Sequence, residues 1–232
     1  MNEIFKAARV EKQVLNADEL RLINAQTMTP QTADNVFTFK LAACDNQVDR
    51  DGERFSDRTL DQFAELFVGR PVLRDHSWNA RSQTARVYAG GVEQMNGVKR
   101  LVLRAYMPRN DRAAPTIADI EAGILREVSV GVAVKNCLCS VCGKDYFGGE
   151  CGHRRGDSYD GAECHVVLDD AADAFEVSFV AVPAQREAGV VKRYENVEKT
   201  KKDPAATGDE KNSALRLAHA MQEMEEKRYG GY

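Results

Sequence analysis

The chain has 232 residues, of which 43% are hydrophobic and 29% charged, so it has the balance of an ordinary globular protein. This balance excludes a fibrous protein and a wholly disordered one. A formal net charge of −4 argues against a nucleic-acid-binding surface that covers the whole molecule, although a local basic patch is compatible with it. Residues 1–25 carry charges throughout and contain no long apolar run, so we expect no membrane association and an intracellular location.

The first predicted elements are a strand and a helix. Residues 36–44 are rich in aromatic and aliphatic side chains and follow a turn-prone stretch, which is typical of a strand. The acidic loop at residues 49–53 resembles a calcium loop, but the ligand spacing of that motif is not met. Ser56 then caps a helix with apolar residues at helical spacing, and Gly69 ends it.

Short apolar runs alternate with turn signals from residue 72 onward. The predicted strands are residues 72–73, 86–89, 98–106, 127–134, 165–168 and 175–182. Residues 117–125 are a candidate helix, and Gly90-Gly91 and Asn96-Gly97 are predicted turns. Strands this frequent, with few helices between them, favour an α+β or mainly β-barrel fold over a doubly wound parallel sheet.

The composition changes after residue 190. We therefore expect an N-terminal segment at residues 1–35, a main domain at 36–190, a flexible linker at 191–212 and a short amphipathic helix at 213–229. The apolar stripe of that last helix, at Leu217, Met221 and Met224, requires a partner surface or the main domain to cover it.

A metal site is the strongest local signal. Five of the six cysteines fall within residues 137–164. In a chain without a secretory signal, clustered cysteines bind a metal ion more often than they form disulfide bonds. Cys139, Cys142, Cys151 and His153 have the spacing of a closed tetrahedral zinc site. Such a site leaves no coordination position for water, so we expect a structural Zn²⁺ that orders a glycine-rich, polar insertion at residues 137–164.

Three cysteines remain outside this set. Cys137 and Cys164 are each an alternative ligand or a small buried apolar side chain, and Cys44, on its predicted strand, fits the second description.

Candidate catalytic residues lie elsewhere in the chain. His76 ends a short predicted strand, and Ser129 lies inside another strand, two residues before Gly131. A serine becomes a nucleophile when a neutral imidazole accepts its proton and a third group orients that imidazole, a role that Glu176 could fill. Gly131 would let the backbone of a substrate approach closely.

Four motifs in order carry a resemblance to a known family. They are the VDRDGERF stretch from residue 48, GRPVLRDH ending at His76, EVSVG around Ser129 and EVSFVAVPA from Glu176. Over residues 36–186 the chain resembles the prohead (capsid maturation) proteases of tailed bacteriophages, which share a fold with the herpesvirus assemblins. The cysteine and histidine loop resembles an insertion found in one prophage-borne subgroup.

The resemblance implies a mainly antiparallel β-barrel of the assemblin type with a few flanking helices and a zinc-knuckle insertion. It also implies a serine endopeptidase with Ser129 as nucleophile, His76 as general base and Glu176 as third member. His165 competes with Glu176, because assemblins use a second histidine. Backbone N–H groups would stabilise the oxyanion, and Arg186 would orient or assist them.

The implied function is cleavage of scaffold protein and major capsid protein within the assembling prohead in the host cytoplasm, with self-association as a further option. One alternative is a catalytically idle capsid-assembly or scaffold protein with a structural zinc site. Another is a zinc-knuckle nucleic-acid binder. Arg154 and Arg155 favour that binder, but the acidic residues Asp157, Asp160 and Glu163 in the same segment argue against it.

Overall fold

A mixed sheet of eight strands dominates the part of the chain that the computed structural model describes, residues 15–185 and 188–190. The helices are α1 (Ala17–Asn24), α2 (Asp57–Leu66) and α3 (Ala114–Glu121), with short 3₁₀ turns at Ala33–Asn35 and Ala80–Ser82. The strands are β1 (Val36–Asp45), β2 (Glu53–Phe55), β3 (Pro71–Arg74), β4 (Ala85–Met95), β5 (Val98–Pro108), β6 (Val128–Cys139), β7 (Ser158–Tyr159), β8 (Ala162–Glu163), β9 (Val166–Phe179) and β10 (Gly189–Val190). The predicted α+β class is confirmed.

Strand β9 organises the sheet. The strand order is β10-β1-β5-β4-β3-β9-β2, and β6 pairs with β9 off this path. β2 and β3 run parallel to the two ends of β9, whereas β6 pairs antiparallel along its whole length. Since a strand has only two edges, β6 lies on one side of β9 and the two short parallel strands lie on the other.

The described strands do not form the closed barrel that the sequence led us to expect. One isolated bridge, between Glu127 and Gly189, brings the start of β6 beside β10. Beyond this bridge, no ladder joins β6 to a described strand other than β9, so the described sheet stays open along most of β6. The barrel prediction is therefore wrong for these residues.

Helix α2 covers one face of the sheet. The Ser56 side chain accepts a hydrogen bond from the Thr59 N–H, which confirms the predicted cap. Leu60, Phe63 and Phe67 are fully buried in the core beneath it. Gly90 was predicted to lie in a turn, but it lies inside β4, where a side chain would overlap the Ala64 carbonyl. The glycine therefore serves the close approach of α2 to the sheet.

The β6–β9 hairpin is longer than predicted. The separate predicted strands at residues 165–168 and 175–182 are one strand, β9, and β6 continues to Cys139. The predicted insertion at residues 137–164 therefore connects the far ends of β6 and β9 and contains the small β7–β8 hairpin.

Several predictions fall outside the described residues. These are the linker at 191–212, the helix at 213–229 and Arg186. The first fourteen residues are also outside, while α1 begins at a capping box formed by Asn16 and Glu19. Within the described part of the chain, no helix has the length and apolar character needed to span a membrane.

Candidate active site and metal cluster

His76 and Glu176 form a hydrogen-bonded pair. The His76 Nδ1 lies 2.7 Å from the Glu176 Oε1, although the residues are 100 positions apart in the chain. The Glu176 side chain is 1% exposed and that of His76 is 42% exposed. A buried carboxylate on Nδ1 fixes the orientation of the imidazole and directs Nε2 away from the carboxylate.

Ser178 ties this pair to the backbone. The fully buried Ser178 hydroxyl donates to the Glu176 Oε2 and accepts a hydrogen bond of 3.1 Å from the His76 N–H. Both carboxylate oxygens therefore have partners, as a buried carboxylate requires. Sequence reasoning missed Ser178, because a serine in a strand gives no signal of its own.

The turn that presents His76 has an uncommon backbone. Asp75 and His76 have φ values of 53° and 51°, in the left-handed region that few non-glycine residues adopt. The Asp75 N–H donates to the Phe179 carbonyl at 2.9 Å, directly after the last parallel pair of β3 and β9. Each such residue costs about 1–2 kcal/mol, so the surrounding hydrogen bonds must hold the turn in place.

Gly131 provides the space for the Glu176 carboxylate. The two residues are register partners in the β6–β9 ladder, and a Cβ at position 131 would overlap the Glu176 Oε1. Gly131 also lines the cleft that contains Ser129, so the expectation that it admits a substrate backbone stays a prediction.

Ser129 lies on the same face of the hairpin. It is the register partner of Ser178, and directly opposed residues in an antiparallel pair place their Cβ atoms about 5 Å apart on one face. Ser129 is half-buried. Among the described residues, no hydrogen bond joins Ser129 to His76, so the structure brings the serine beside the His76–Glu176 network without closing a complete triad.

Ser129 and His76 both line a cleft of about 440 Å³. The floor follows β6 past Gly131, and the opposite wall carries three acidic side chains, Asp49, Asp51 and Glu53. Burial raises the pKa of Asp49, although hydrogen bonds from the backbone N–H groups of Glu53 and Asp51 counteract part of this effect.

Buried contacts fix the end of the cleft near residue 185. The Gln185 side chain accepts from the Asp45 N–H at 2.6 Å and donates to the Asp45 carbonyl at 3.1 Å. The Arg50 N–H donates to the Ala184 carbonyl at 3.3 Å. These bonds hold the segment that precedes Arg186 against the loop between β1 and β2.

His165 lies far from this network. It precedes β9 at the end opposite Glu176, and its ring nitrogen lies 3.3 Å from the Glu163 carbonyl. Eleven extended residues span on the order of 30 Å. The structure therefore places Glu176, and not His165, beside His76.

The four predicted metal ligands form a second cluster. The ligand atoms of Cys139, Cys142, Cys151 and His153 all lie within 4.8 Å of one another. The His153 Nδ1 lies 3.6 Å from the Cys139 Sγ and 3.8 Å from the Cys151 Sγ, and the Cys142 and Cys151 Sγ atoms are 3.7 Å apart. Ligands about 2.3 Å from a tetrahedral metal ion are separated by about 3.8 Å. The cluster could therefore hold a metal ion.

Cys139 is the most acidic thiol of the cluster. Burial raises the pKa of the Cys139 thiol, but hydrogen bonds from the backbone N–H groups of Cys142 and Val141 outweigh burial and lower the pKa to about 6. A thiolate is the form that binds a metal ion, so this ligand is ready for coordination near neutral pH.

The three cysteines outside the cluster, Cys44, Cys137 and Cys164, lie in different environments. The Cys164 Sγ is buried and lies 3.8 Å from the Cys139 Sγ, but Cys164 is outside the four-residue cluster. Burial and a hydrogen bond with Cys139 raise the pKa of Cys164 to about 11, so it remains a thiol. Burial also raises the pKa of Cys137 and of Cys44, and Cys44 is a buried core residue as expected.

Arg155 connects the metal-cluster loop to the cleft. Its Nη1 lies 2.5 Å from the Oε1 of Glu53, and its side chain crosses Gly52 so closely that a Cβ there would lie 2.7 Å from the Arg155 Cγ. Glu53 lines the cleft that contains Ser129. One wall of the cleft is therefore fastened to the loop that carries His153.

Comparisons of the chain with protein-family models, with curated proteins and with solved structures find no match.

Proposed function

We propose that the protein is a serine endopeptidase with Ser129 as nucleophile, His76 as general base and Glu176 as the residue that orients His76. The observation that carries this proposal is the 2.7 Å contact between the His76 Nδ1 and a buried carboxylate, in a cleft that Ser129 also lines. A carboxylate, an imidazole and a hydroxyl in this relation are the parts of a nucleophilic triad.

The proposed mechanism uses one tautomer of His76, with the ring proton on Nδ1. With its Nδ1 proton held by Glu176, neutral His76 presents an unprotonated Nε2 toward the cleft. Nε2 accepts the proton of the Ser129 hydroxyl as the Oγ attacks a peptide carbonyl, and then donates that proton to the leaving amine. Water hydrolyses the acyl-enzyme by the same route, and Glu176 stabilises the imidazolium in both steps.

Strand β6 offers a binding edge for an extended peptide. Among the described strands, β6 forms a ladder only with β9. Its other edge is bonded to residues 188–190 at its start and to residues 144–146 at its far end, which leaves the edge between Ser129 and Asn136 for a substrate. A substrate that adds to this edge as a strand would place successive carbonyls along the cleft. The oxyanion would be stabilised by backbone N–H groups assisted by Arg186, which is the role that the family resemblance implies.

The metal cluster fits a structural Zn²⁺. Three thiols and one imidazole are the donors that zinc prefers, and four protein ligands leave no position for water. When bound, the ion would supply folding energy to a loop that has few apolar residues. Cys139, Cys142, Cys151 and His153 would hold it, and its contribution would be to the fold of the loop.

The biological role that we propose is maturation of a phage or prophage head, with scaffold protein and major capsid protein as substrates inside the assembling prohead of the host cell. Its support is the family resemblance of the four motifs together with the network at His76. A zinc-knuckle nucleic-acid binder has less support, because Arg155 is engaged by Glu53.

A catalytically idle assembly protein is the second candidate. It is favoured by one observation, that no hydrogen bond between Ser129 and His76 is present among the described residues. In such a protein the His76–Glu176 pair would only stabilise the fold, and the cleft would bind a partner segment without cleaving it.

Co-expression with the capsid protein of the same phage separates the two candidates. The peptidase produces a shortened capsid protein, and Ser129→Ala abolishes the shortened form. Ser158→Ala, at an exposed serine of β7, leaves it in place. An uncleaved capsid protein with the wild-type chain would support the idle assembly protein, and cleavage by the Ser129→Ala variant would refute the assignment of the nucleophile.

A further inference from the structure

A second cavity, of about 340 Å³, is lined by three arginines from three segments of the chain. Arg74 ends β3, Arg81 lies in the 3₁₀ turn Ala80–Ser82, and Arg112 precedes α3. We call this cavity the arginine pocket. It shares no lining residue with the cleft that contains Ser129.

The three guanidinium groups have no carboxylate partner. Within the described part of the chain, no aspartate or glutamate oxygen lies within 4.0 Å of Arg74, Arg81 or Arg112. Other arginines of the chain are paired, such as Arg58 with Asp169 and Arg70 with Asp173, each at 2.7 Å. The arginine pocket therefore concentrates positive charge that the protein itself does not neutralise.

Two contacts position arginine side chains at the cavity. The Arg74 Nη2 donates to the hydroxyl of the buried Thr116 at 2.9 Å, and the Arg112 Nη2 donates to the Arg81 carbonyl at 3.3 Å. Each arginine has five N–H donors, so most donors of all three remain available to the cavity. Like charges around one cavity repel one another, and an anion bound between them would relieve this repulsion.

The first turn of α3 adds to the positive potential. Ala113 and Thr116 line the arginine pocket at the N-terminal end of this eight-residue helix, where the helix dipole is positive. The remaining lining is mostly polar and uncharged, with Gln83, Thr84 and Asn110. No acidic side chain lines the cavity, so nothing there would repel an anion.

We propose that the arginine pocket binds a phosphate group. Three guanidinium groups around one cavity match a tetrahedral dianion, whose oxygens can accept forked pairs of N–H bonds from more than one arginine. A carboxylate has two oxygens in one plane and carries a single charge, so it satisfies fewer of these donors. This binding site is independent of the proposed peptidase activity.

Isothermal titration calorimetry with inorganic phosphate tests the proposal, with the full chain at constant ionic strength. We expect saturable binding of one phosphate per chain and weaker binding of acetate. The double variant Arg81→Gln, Arg112→Gln should bind phosphate about a hundredfold more weakly, because each lost charged hydrogen-bond donor costs about tenfold in affinity. Both side chains are on exposed residues without carboxylate partners, so the fold should tolerate the change.

The matched control is the double variant Arg21→Gln, Arg154→Gln, which removes the same net charge from two exposed positions away from the arginine pocket. It should bind phosphate as the wild type does. Absence of saturable phosphate binding, equal loss in both double variants, or acetate binding as tight as phosphate would each overturn the proposal. Should the first double variant fail to fold, Arg81→Lys with Arg112→Lys keeps the charge, loses the forked donors and should still weaken phosphate binding measurably.

Discussion

Gly131 lies opposite Glu176 in the β6–β9 ladder, and the Glu176 carboxylate occupies the space that a side chain at position 131 would need. From this place Glu176 reaches both the His76 ring and the Ser178 hydroxyl. The absence of a side chain at one position of β6 is thus what allows a buried carboxylate to meet a histidine in the turn after β3. The geometry of the proposed active site depends on this pairing.

Gly131→Ala should therefore damage both stability and catalysis. A methyl group there would displace the carboxylate, at a cost of about 1–3 kcal/mol in the free energy of unfolding, and would break the contact with His76. Denaturant unfolding and peptide cleavage measure the two effects. Gly91→Ala is the matched control, because a Cβ at this strand position has no atom within 4 Å. Equal behaviour of the two variants would show that Gly131 has no special role.

Glu176→Gln tests the orienting role of the carboxylate. The amide has nearly the same shape, but it lacks the charge that stabilises the imidazolium of His76 and can stabilise the wrong tautomer. We expect kcat to fall by about 10³- to 10⁴-fold with a small change in KM. Steady-state kinetics on a peptide substrate give both constants. A kcat within a few fold of the wild-type value would contradict a triad that includes Glu176.

The metal cluster could be predicted from the sequence because its spacing is local. Cys139, Cys142, Cys151 and His153 lie within fifteen positions, and tetrahedral coordination restricts how such ligands are spaced. The helix capped by Ser56 was predictable for the same reason, since a cap and a helical repeat are local patterns.

The candidate active site was predictable only in part. The family resemblance suggested His76 and Glu176. The two residues are 100 positions apart, so the periodicity of the sequence alone does not predict that they are in contact. The roles of Ser178 and Gly131 depend on the register of β6 against β9, which no local pattern specifies. The closed barrel was a prediction about how strands distant in the chain meet, which no local pattern specifies, and the described strands form an open sheet.

Cys142→Ser tests the metal cluster. Loss of one thiolate should lower the metal content below one ion per chain and lower the melting temperature by several degrees, because the ion supplies folding energy to the loop. Elemental analysis and thermal unfolding measure these effects. Cys137→Ser is the control, because Cys137 lies outside the cluster. This variant should keep one metal ion per chain. A metal-free wild-type protein with unchanged stability after chelation would refute the structural role.

Arg155→Ala tests whether the metal-cluster loop supports the cleft. Without the 2.5 Å contact to Glu53, the acidic wall should loosen, and KM for a peptide should rise about two- to tenfold with little change in kcat. Arg154→Ala is the control, because among the described residues the Arg154 side chain has no ion pair. If KM is the same in the wild type and both variants, the contact does not shape the cleft.

The reactivity of Ser129 is the most direct test of the proposed function. A fluorophosphonate reagent reacts with a serine whose hydroxyl is activated by a neighbouring base, and peptide mass spectrometry identifies the modified residue. We predict modification of Ser129 in the wild type, with a rate at least about 10²-fold lower in His76→Ala. An unmodified Ser129 in a folded protein, or a rate that does not depend on His76, would contradict the assignment of this serine as the nucleophile.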